Sequence, residues 1–347
     1  MKNLLFGAAQ IAGLAVVVAL VAFGFRGDSG VEQATLWLIL GLFAVSVSLL
    51  WGHAGLLSFG QAAFFGLGAF CYVWATTDTL FDAPIGWNPG IFGLLVSVLL
   101  PAAVALAIGY FLFYGKVVGA YFTIVTLALS FLLSSLGEAW TSVFGGYTGI
   151  ANVPPLTVNL GFTTISAEGT WAGFAAITVV LAIIIALLRA LLSTPFGLTV
   201  DGVCDNEPRL QHLGMSVVKV KLVTFVISAG IAGLAGALFA AQSDYVASDM
   251  MGTVLSTEAI IWVAVGGRKS LFGAVLGAVL VRGVGYVLSG IALDYWTLFL
   301  AALLLVLVLA GRTGVVGMAR WLTNKMRAGG GGRAAGTPAG EGADGAA

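Results

Sequence analysis

The chain has 347 residues, 60% of them hydrophobic and only 9% charged, with a formal net charge of zero. A soluble domain carries about 25% charged residues, so this composition argues against a water-soluble globule, and no basic field points to nucleic acid. A mean hydropathy of +1.06 and several apolar windows longer than a bilayer needs indicate an all-α polytopic membrane protein; the apolar runs are continuous rather than alternating, which excludes a β-barrel.

In chain order, Lys2 precedes an apolar stretch that lasts to Phe25. It is longer than a signal-peptide core and lacks an A-x-A-like cleavage site, so residues 4–25 read as a retained first span. Further apolar segments follow at 33–51, 54–77, 91–114, 118–137, 171–192, 222–243, 254–267, 271–289 and 295–311. The expectation is therefore about ten transmembrane helices. The third segment carries "GLLSFGQAAFFGLGAF" (55–70), in which Ser58 and Gln61 stand about one turn apart among apolar neighbours. They either hydrogen-bond across helices or face a solute path.

The connection 193–221 is the longest on its side and is polar in the middle. Asp205-Asn206-Glu207-Pro208 reads as a helix start, with Pro208 near the first helical position and carboxylates at the positive end of the dipole. That helix stops at Gly214, a residue suited to a left-handed cap. Segment 222–243 places Gly230, Gly233 and Gly236 at spacing three, and Gly273 and Gly277 form a small-xxx-small pair. Small residues let helix backbones approach in lipid, so these glycines read as packing positions.

Segment 254–267 is the exception in length. About 14 residues rise only ~21 Å, short of the ~30 Å hydrocarbon core. It is either a thin span or a re-entrant half-helix, and re-entry would reverse every later side assignment. Glu258 near its start is either held by the helix dipole or lines a passage; Trp262 is a second pathway candidate. Arg282, within the next segment, either snorkels or pairs with an acid. The tail 326–347 is rich in Gly and Ala and holds too few large apolar residues to fold, so it reads as disordered. Residues 1–325 thus form one transmembrane domain with the 193–221 loop inside it.

Charge sets the orientation. With the N-terminus inside, the loops 115–117, 193–221, 268–270 and the region after 311 are cytoplasmic, and these ends and loops hold thirteen of the fifteen Lys and Arg residues. The loops 78–90 and 138–170 hold none. Cations favour the cytoplasmic side, so both termini are expected there. Cys71 and Cys204 do not suggest a disulfide framework.

No catalytic signature is present. The chain lacks H-E-x-x-H, G-x-S-x-G, a phosphate-cradling G-x-x-x-x-G-K-[ST] and any cluster of metal ligands. No catalytic residue, metal or cofactor is expected in it.

Four blocks, in order, carry a family resemblance: "GHAGLLSFGQAAFFGLGAF", "GAYFTIVTLALSFLLSS", "TPFG…DNEPRLQHLGMSVVKVKLVTFVISAGIAGLAGALFA" and "IWVAVGGRKSLFGAVLGAVLV". Together they resemble the permeases of branched-chain amino-acid ABC importers, the last block being similar to the urea-type branch. The resemblance covers roughly residues 45–320. It implies a permease subunit in the plasma membrane of a prokaryote, without ATPase activity. It also implies a second permease subunit, two ATPase subunits that bind ATP and Mg, and an extracytoplasmic solute-binding protein. By the same resemblance Asp205, Asn206, Glu207, Arg209, Leu213 and Gly214 are the ATPase-coupling region. The chain departs from the family where arginines usually follow "PFG": Asp201 and Cys204 stand there, which puts a standard electrostatic match in doubt. Branched-chain amino acids are the first expectation for substrate, with urea or a short amide as the alternative within the family. An ion-coupled secondary transporter is the alternative from another class.

Overall fold

The computed structural model describes residues 28–77, 88–117, 119–159, 164–166 and 171–289, together with Ala302. The expected spans at 4–25 and 295–311 and the tail at 326–347 lie outside the described residues.

Helix α1 runs from Asp28 to Ser48 and continues as a π-helical turn, Leu49–His53. The chain then leaves helical geometry until Gln61, where α2 (Gln61–Thr76) starts. Helices α3 (Pro89–Tyr114) and α4 (Ala120–Ala139) follow, then a short α5 (Thr141–Phe144). A loop holds β1 (Ile150–Ala151) and an antiparallel β2–β3 pair (Thr157–Asn159 with Thr164–Ser166). After it come α6 (Trp171–Ser193), α7 (Pro195–Asp205), α8 (Glu207–His212) and α9 (Val217–Ser243). Strand β4 (Tyr245–Val246) pairs antiparallel with β1, and a single 3-10 turn, Ser248–Met251, leads into α10 (Thr253–Gly266) and α11 (Leu271–Ser289).

Among the described residues, five helices are long and apolar enough to cross a membrane: Gly30–His53, α3, α4, α6 and α9. Helices α10 and α11 form a sixth apolar unit, bent by 115° at a four-residue break. The architecture is all-α and polytopic.

Position in the bundle follows from which faces are apolar. Helix α2 is hydrophobic all round, the pattern of a buried helix, and every residue from Gln61 to Ala75 is buried. It packs against α3 and α9. In contrast, α4 and α6 expose Tyr121, Ile124, Phe131, Val179, Ile183 and Leu187, an outer surface suited to lipid or another apolar chain.

Close backbone approach holds the centre together. A Cβ on Gly236 would overlap the carbonyl of Phe65, and one on Gly233 would overlap the carbonyl of Ser97, so α9 meets α2 on one side and α3 on the other. Gly230 has ordinary contact distances only, the nearest being 3.4 Å to Val98. At the second hairpin, a Cβ on Gly273 would overlap the Gly266 carbonyl and one on Gly277 the Trp262 carbonyl.

Three expectations need correction. The segment 54–77 is not a continuous span: the helix begins only at Gln61. Gly55 has φ +71°, and side chains of α4 and α10 take over the backbone groups that a helix would have paired. The 193–221 loop contains two helices rather than one. Thr194 caps α7 by accepting from the Gly197 N–H, and Pro195 occupies the first helical position. Finally, α9 starts at Val217, ahead of the expected segment 222–243, and Lys221 in its first turns is paired with Glu207.

Candidate functional site

Helices α7 and α8 rest on the bundle through polar ties. Asp201 lies 2.8 Å from His53 Nδ1; a carboxylate only accepts, so Nδ1 carries the hydrogen. Cys204 packs against Gly52 and Gly55. Lys221 Nζ, almost wholly buried, lies 2.6 Å from Glu207, and Lys269 Nζ lies 3.2 Å from Asp205. The expected helix start is observed: Asn206 accepts from the Arg209 N–H at 3.1 Å, and Gly214 takes φ +78°. Asp201 and Cys204, which stand where arginines were expected, therefore face the chain's own 52–55 turn. The outer side presents Leu198, Arg209, Leu213 and Met215, with Leu213 71% exposed.

The same face carries the turn between α10 and α11. Ser48 donates to the Arg268 carbonyl at 3.0 Å, and Lys269 reaches Asp205. The start of α10 lies beside the far end of α4. Ser248 donates to the Gly146 carbonyl, and Met251 packs on Gly137 in the last turn of α4. Helix α10 thus runs toward the α7–α8 face over 14 residues, a rise of ~21 Å, and with α11 makes the bent unit of a broken span or a re-entrant loop.

Between the faces lies the non-helical stretch 54–60. Irregular backbone at membrane depth survives only where protein groups or water satisfy it. Here Thr126 accepts from the Phe59 N–H at 3.2 Å, Ser130 donates to the Phe59 carbonyl at 3.0 Å, and Thr123 donates to the Leu57 carbonyl at 3.0 Å. Ser256 accepts from the Ala62 N–H at 3.0 Å, in the first turn of α2. Ser58 accepts from the Gly60 N–H. Gln61 donates to Ser228, which donates to the Ser46 carbonyl, both at 2.8 Å. Gln61 is thus buried in contacts that join α1, α2 and α9, whereas Ser58 is buried with its hydroxyl on the neighbouring Gly60 N–H.

A chamber of about 540 Å³ opens near the face opposite α7 and α8. Its polar lining is Glu138, Asp249, Glu258, Arg282, Ser134, Tyr245 and Thr253; its apolar lining includes Phe65, Phe131, Phe239 and Met250. Arg282 Nη1 lies 3.5 Å from Glu258, and its guanidinium stacks over Trp262 at 5.6 Å from the ring centre. Trp262 itself is fully buried. Tyr147, in the loop beyond α5, donates a hydrogen bond to Glu138, and that bond with the carboxylate's charge pushes the phenol's pKa up.

Of the residues singled out from sequence, the structure brings Glu258 and Arg282 to this chamber, keeps Trp262 buried behind Arg282, and leaves Ser58 and Gln61 buried away from it. Glu138 and Asp249 were missed as chamber residues. Part of their signal was present: Glu138 opens the cation-free loop 138–170.

The chain matches the family described as branched-chain amino acid transport system / permease component over residues 31–309. It is 29% identical to the high-affinity branched-chain amino acid transport system permease protein LivM of Salmonella typhimurium and to that of Escherichia coli, each over 77% of this chain. It spans 65% of the length of these two relatives. It is also 29% identical to the autoinducer 2 import system permease protein LsrC of Salmonella paratyphi B, over 67% of this chain and 70% of that one. No solved structure matches it.

Proposed function

The chain belongs to the branched-chain amino acid transport system permease family, and from that premise we propose that it is the membrane subunit of an ATP-driven importer of branched-chain amino acids. The observation that carries the proposal is the match over residues 31–309, which takes in the bundle, the α7–α8 loop and the chamber. Both LivM relatives named above are branched-chain amino acid permeases.

In this reading ATP and Mg are bound by separate ATPase subunits, a second permease completes the pathway, and a binding protein delivers the solute from outside. The chain has about ten spans with both termini in the cytoplasm of a prokaryote. The α7–α8 face is the cytoplasmic one, in keeping with Lys219, Lys221, Arg268 and Lys269 gathered there. Asp205, Asn206 and Glu207 brace α8, while Arg209, Leu213 and the Gly214 turn meet the ATPase. Exposed apolar side chains outside the bilayer suit such a contact. Force applied to the α7–α8 pair reaches α9 through Glu207 and Lys221, the α10–α11 turn through Asp205 and Lys269, and the end of α1 through Asp201 and His53. The irregular 54–60 stretch and the short α10 give the bundle two breaks about which helices can rock, as in other transporters with discontinuous helices.

The test is uptake of labelled leucine and labelled urea in a strain lacking this chain, with and without the gene restored. Restored leucine uptake that falls on ATP depletion and persists with an uncoupler supports the proposal. Uptake that an uncoupler abolishes at normal ATP would assign the chain to ion-coupled transport instead, and restored urea uptake without leucine uptake would overturn the substrate.

A further inference from the structure

We infer that the chamber between α1, α2, α4, α9, α10 and α11 is a binding site for a zwitterionic α-amino acid with an apolar side chain. Arg282 takes the carboxylate; Glu138, Asp249 and Glu258 surround the ammonium. The inference rests on the permease reading above and assigns its substrate a place in this chain.

Size and lining come first. A small-molecule site commonly encloses about 300–1,000 Å³ and is mostly apolar with a few polar groups. This chamber, at about 540 Å³, falls in that range and combines Phe65, Phe131, Phe239 and Met250 with four charged side chains.

Charge supplies the selectivity. Three carboxyl side chains stand against one guanidinium in the lining, an excess of acids that attracts an ammonium group. Three acids alone would favour any cation; the guanidinium adds a demand for an anionic group on the same ligand. Arg282 is suited to that role. Its contact with Glu258 is long, at 3.5 Å through Nη1 alone, and Trp262 supports its ring face. A guanidinium carries five N–H donors in a planar fork, so a second carboxylate can be met without breaking the first contact.

Position completes the argument. Arg282 also lines an adjoining cavity of about 290 Å³, together with Leu36, Trp37 and Tyr286. Leu40 and Phe239 border both cavities. A carboxylate held at Arg282 thus anchors a ligand at the junction of the two, with apolar walls on either side for its side chain. The chamber opens at the face opposite α7 and α8, where a solute arriving from outside is expected. Glu258 reaches it because α10 is short: the carboxylate sits in the second turn, just inside that face.

The test uses the assembled importer in nanodiscs, without its binding protein, and labelled leucine. Wild type is compared with Asp249→Asn and Glu138→Gln, both near the rim, and with Arg282→Gln and Arg282→Lys. Wild-type binding should be displaced by leucine but not by leucinamide, which lacks the carboxylate, or 4-methylpentanoate, which lacks the ammonium. Asp249→Asn should weaken binding at least tenfold, Arg282→Gln should abolish it, and Arg282→Lys should keep part of it. Binding unchanged in all the variants would overturn the inference, as would a wild-type complex that transports leucine yet binds none. A wild-type complex that transports no leucine would instead remove the permease reading itself.

Discussion

Ser228→Ala probes the buried polar chain that fixes the start of α2. Gln61 is 0% exposed, and its amide donates to Ser228 at 2.8 Å, while Ser228 donates to the Ser46 carbonyl at 2.8 Å. The substitution deletes both bonds and leaves the Gln61 side chain without its partner in a dry interior. An interhelical hydrogen bond in a membrane protein averages about 0.6 kcal/mol and reaches about 1.7, and a buried group left unsatisfied costs about 1–3 kcal/mol. We therefore expect a loss of about 2 kcal/mol. Gln61→Leu alone should cost about 1 kcal/mol, since Ser228 still serves Ser46. The double variant should be less destabilised than the sum by about 1 kcal/mol, because it leaves no orphaned amide. Equilibrium unfolding in mixed micelles measures all three. Strictly additive costs, or a Ser228→Ala cost below about 0.3 kcal/mol, would refute the coupling between α1, α2 and α9.

Four further outcomes follow from the geometry. Gly236→Ala should impair folding and complex assembly, because the new methyl would overlap the Phe65 carbonyl; Gly230→Ala should be tolerated and gain up to about 1 kcal/mol of helix propensity, which thermal unfolding of the two side by side would resolve. Ser256→Ala should destabilise by about 1–2 kcal/mol through loss of the Ala62 N–H bond, with faster hydrogen exchange at Ala62 as its local signature. Asp205→Asn should change stability by less than about 1 kcal/mol, since its pair with Lys269 is exposed, whereas Glu207→Gln should cost about 3 kcal/mol by stranding the buried Lys221; a double-mutant cycle on each pair separates the two. Gly214→Ala should strain the end of α8, where φ is +78°, by about 1 kcal/mol, read as lower thermal stability without loss of the span helices.

Much of the bundle was legible because lipid leaves the backbone one solution per apolar run. Segments 91–114, 118–137 and 171–192 lie within two residues of α3, α4 and α6, and the 14-residue brevity of α10 was plain. Local chemistry also marked the Asn206 cap and the Gly214 turn. The break at 54–60 was not legible, since composition there is as apolar as in a span. What permits it is a set of hydroxyls, Thr123, Thr126, Ser130 and Ser256, that arrive from helices some 60 to 200 positions away. The start of α7 carried a readable local signal, Thr194 followed by Pro195. The inward aim of Asp201 and Cys204 did not, because the turn that receives them exists only once α1 ends at His53. For the chamber, the carboxylates stood visibly on one side, but their convergence on Arg282 depends on the 115° bend between α10 and α11.

The account turns on the role proposed for α8, as the handle through which an ATPase moves the bundle. The most direct measurement places a cysteine at Leu213 in a Cys204→Ser background and follows cross-linking in membranes containing the whole importer. Leu213→Cys should cross-link to an ATPase subunit, should react with an impermeant thiol reagent only in inside-out vesicles, and Leu213→Asp should cut leucine uptake at least tenfold while the chain still inserts. Labelling of Leu213→Cys from outside intact cells, or full uptake by Leu213→Asp, would contradict it.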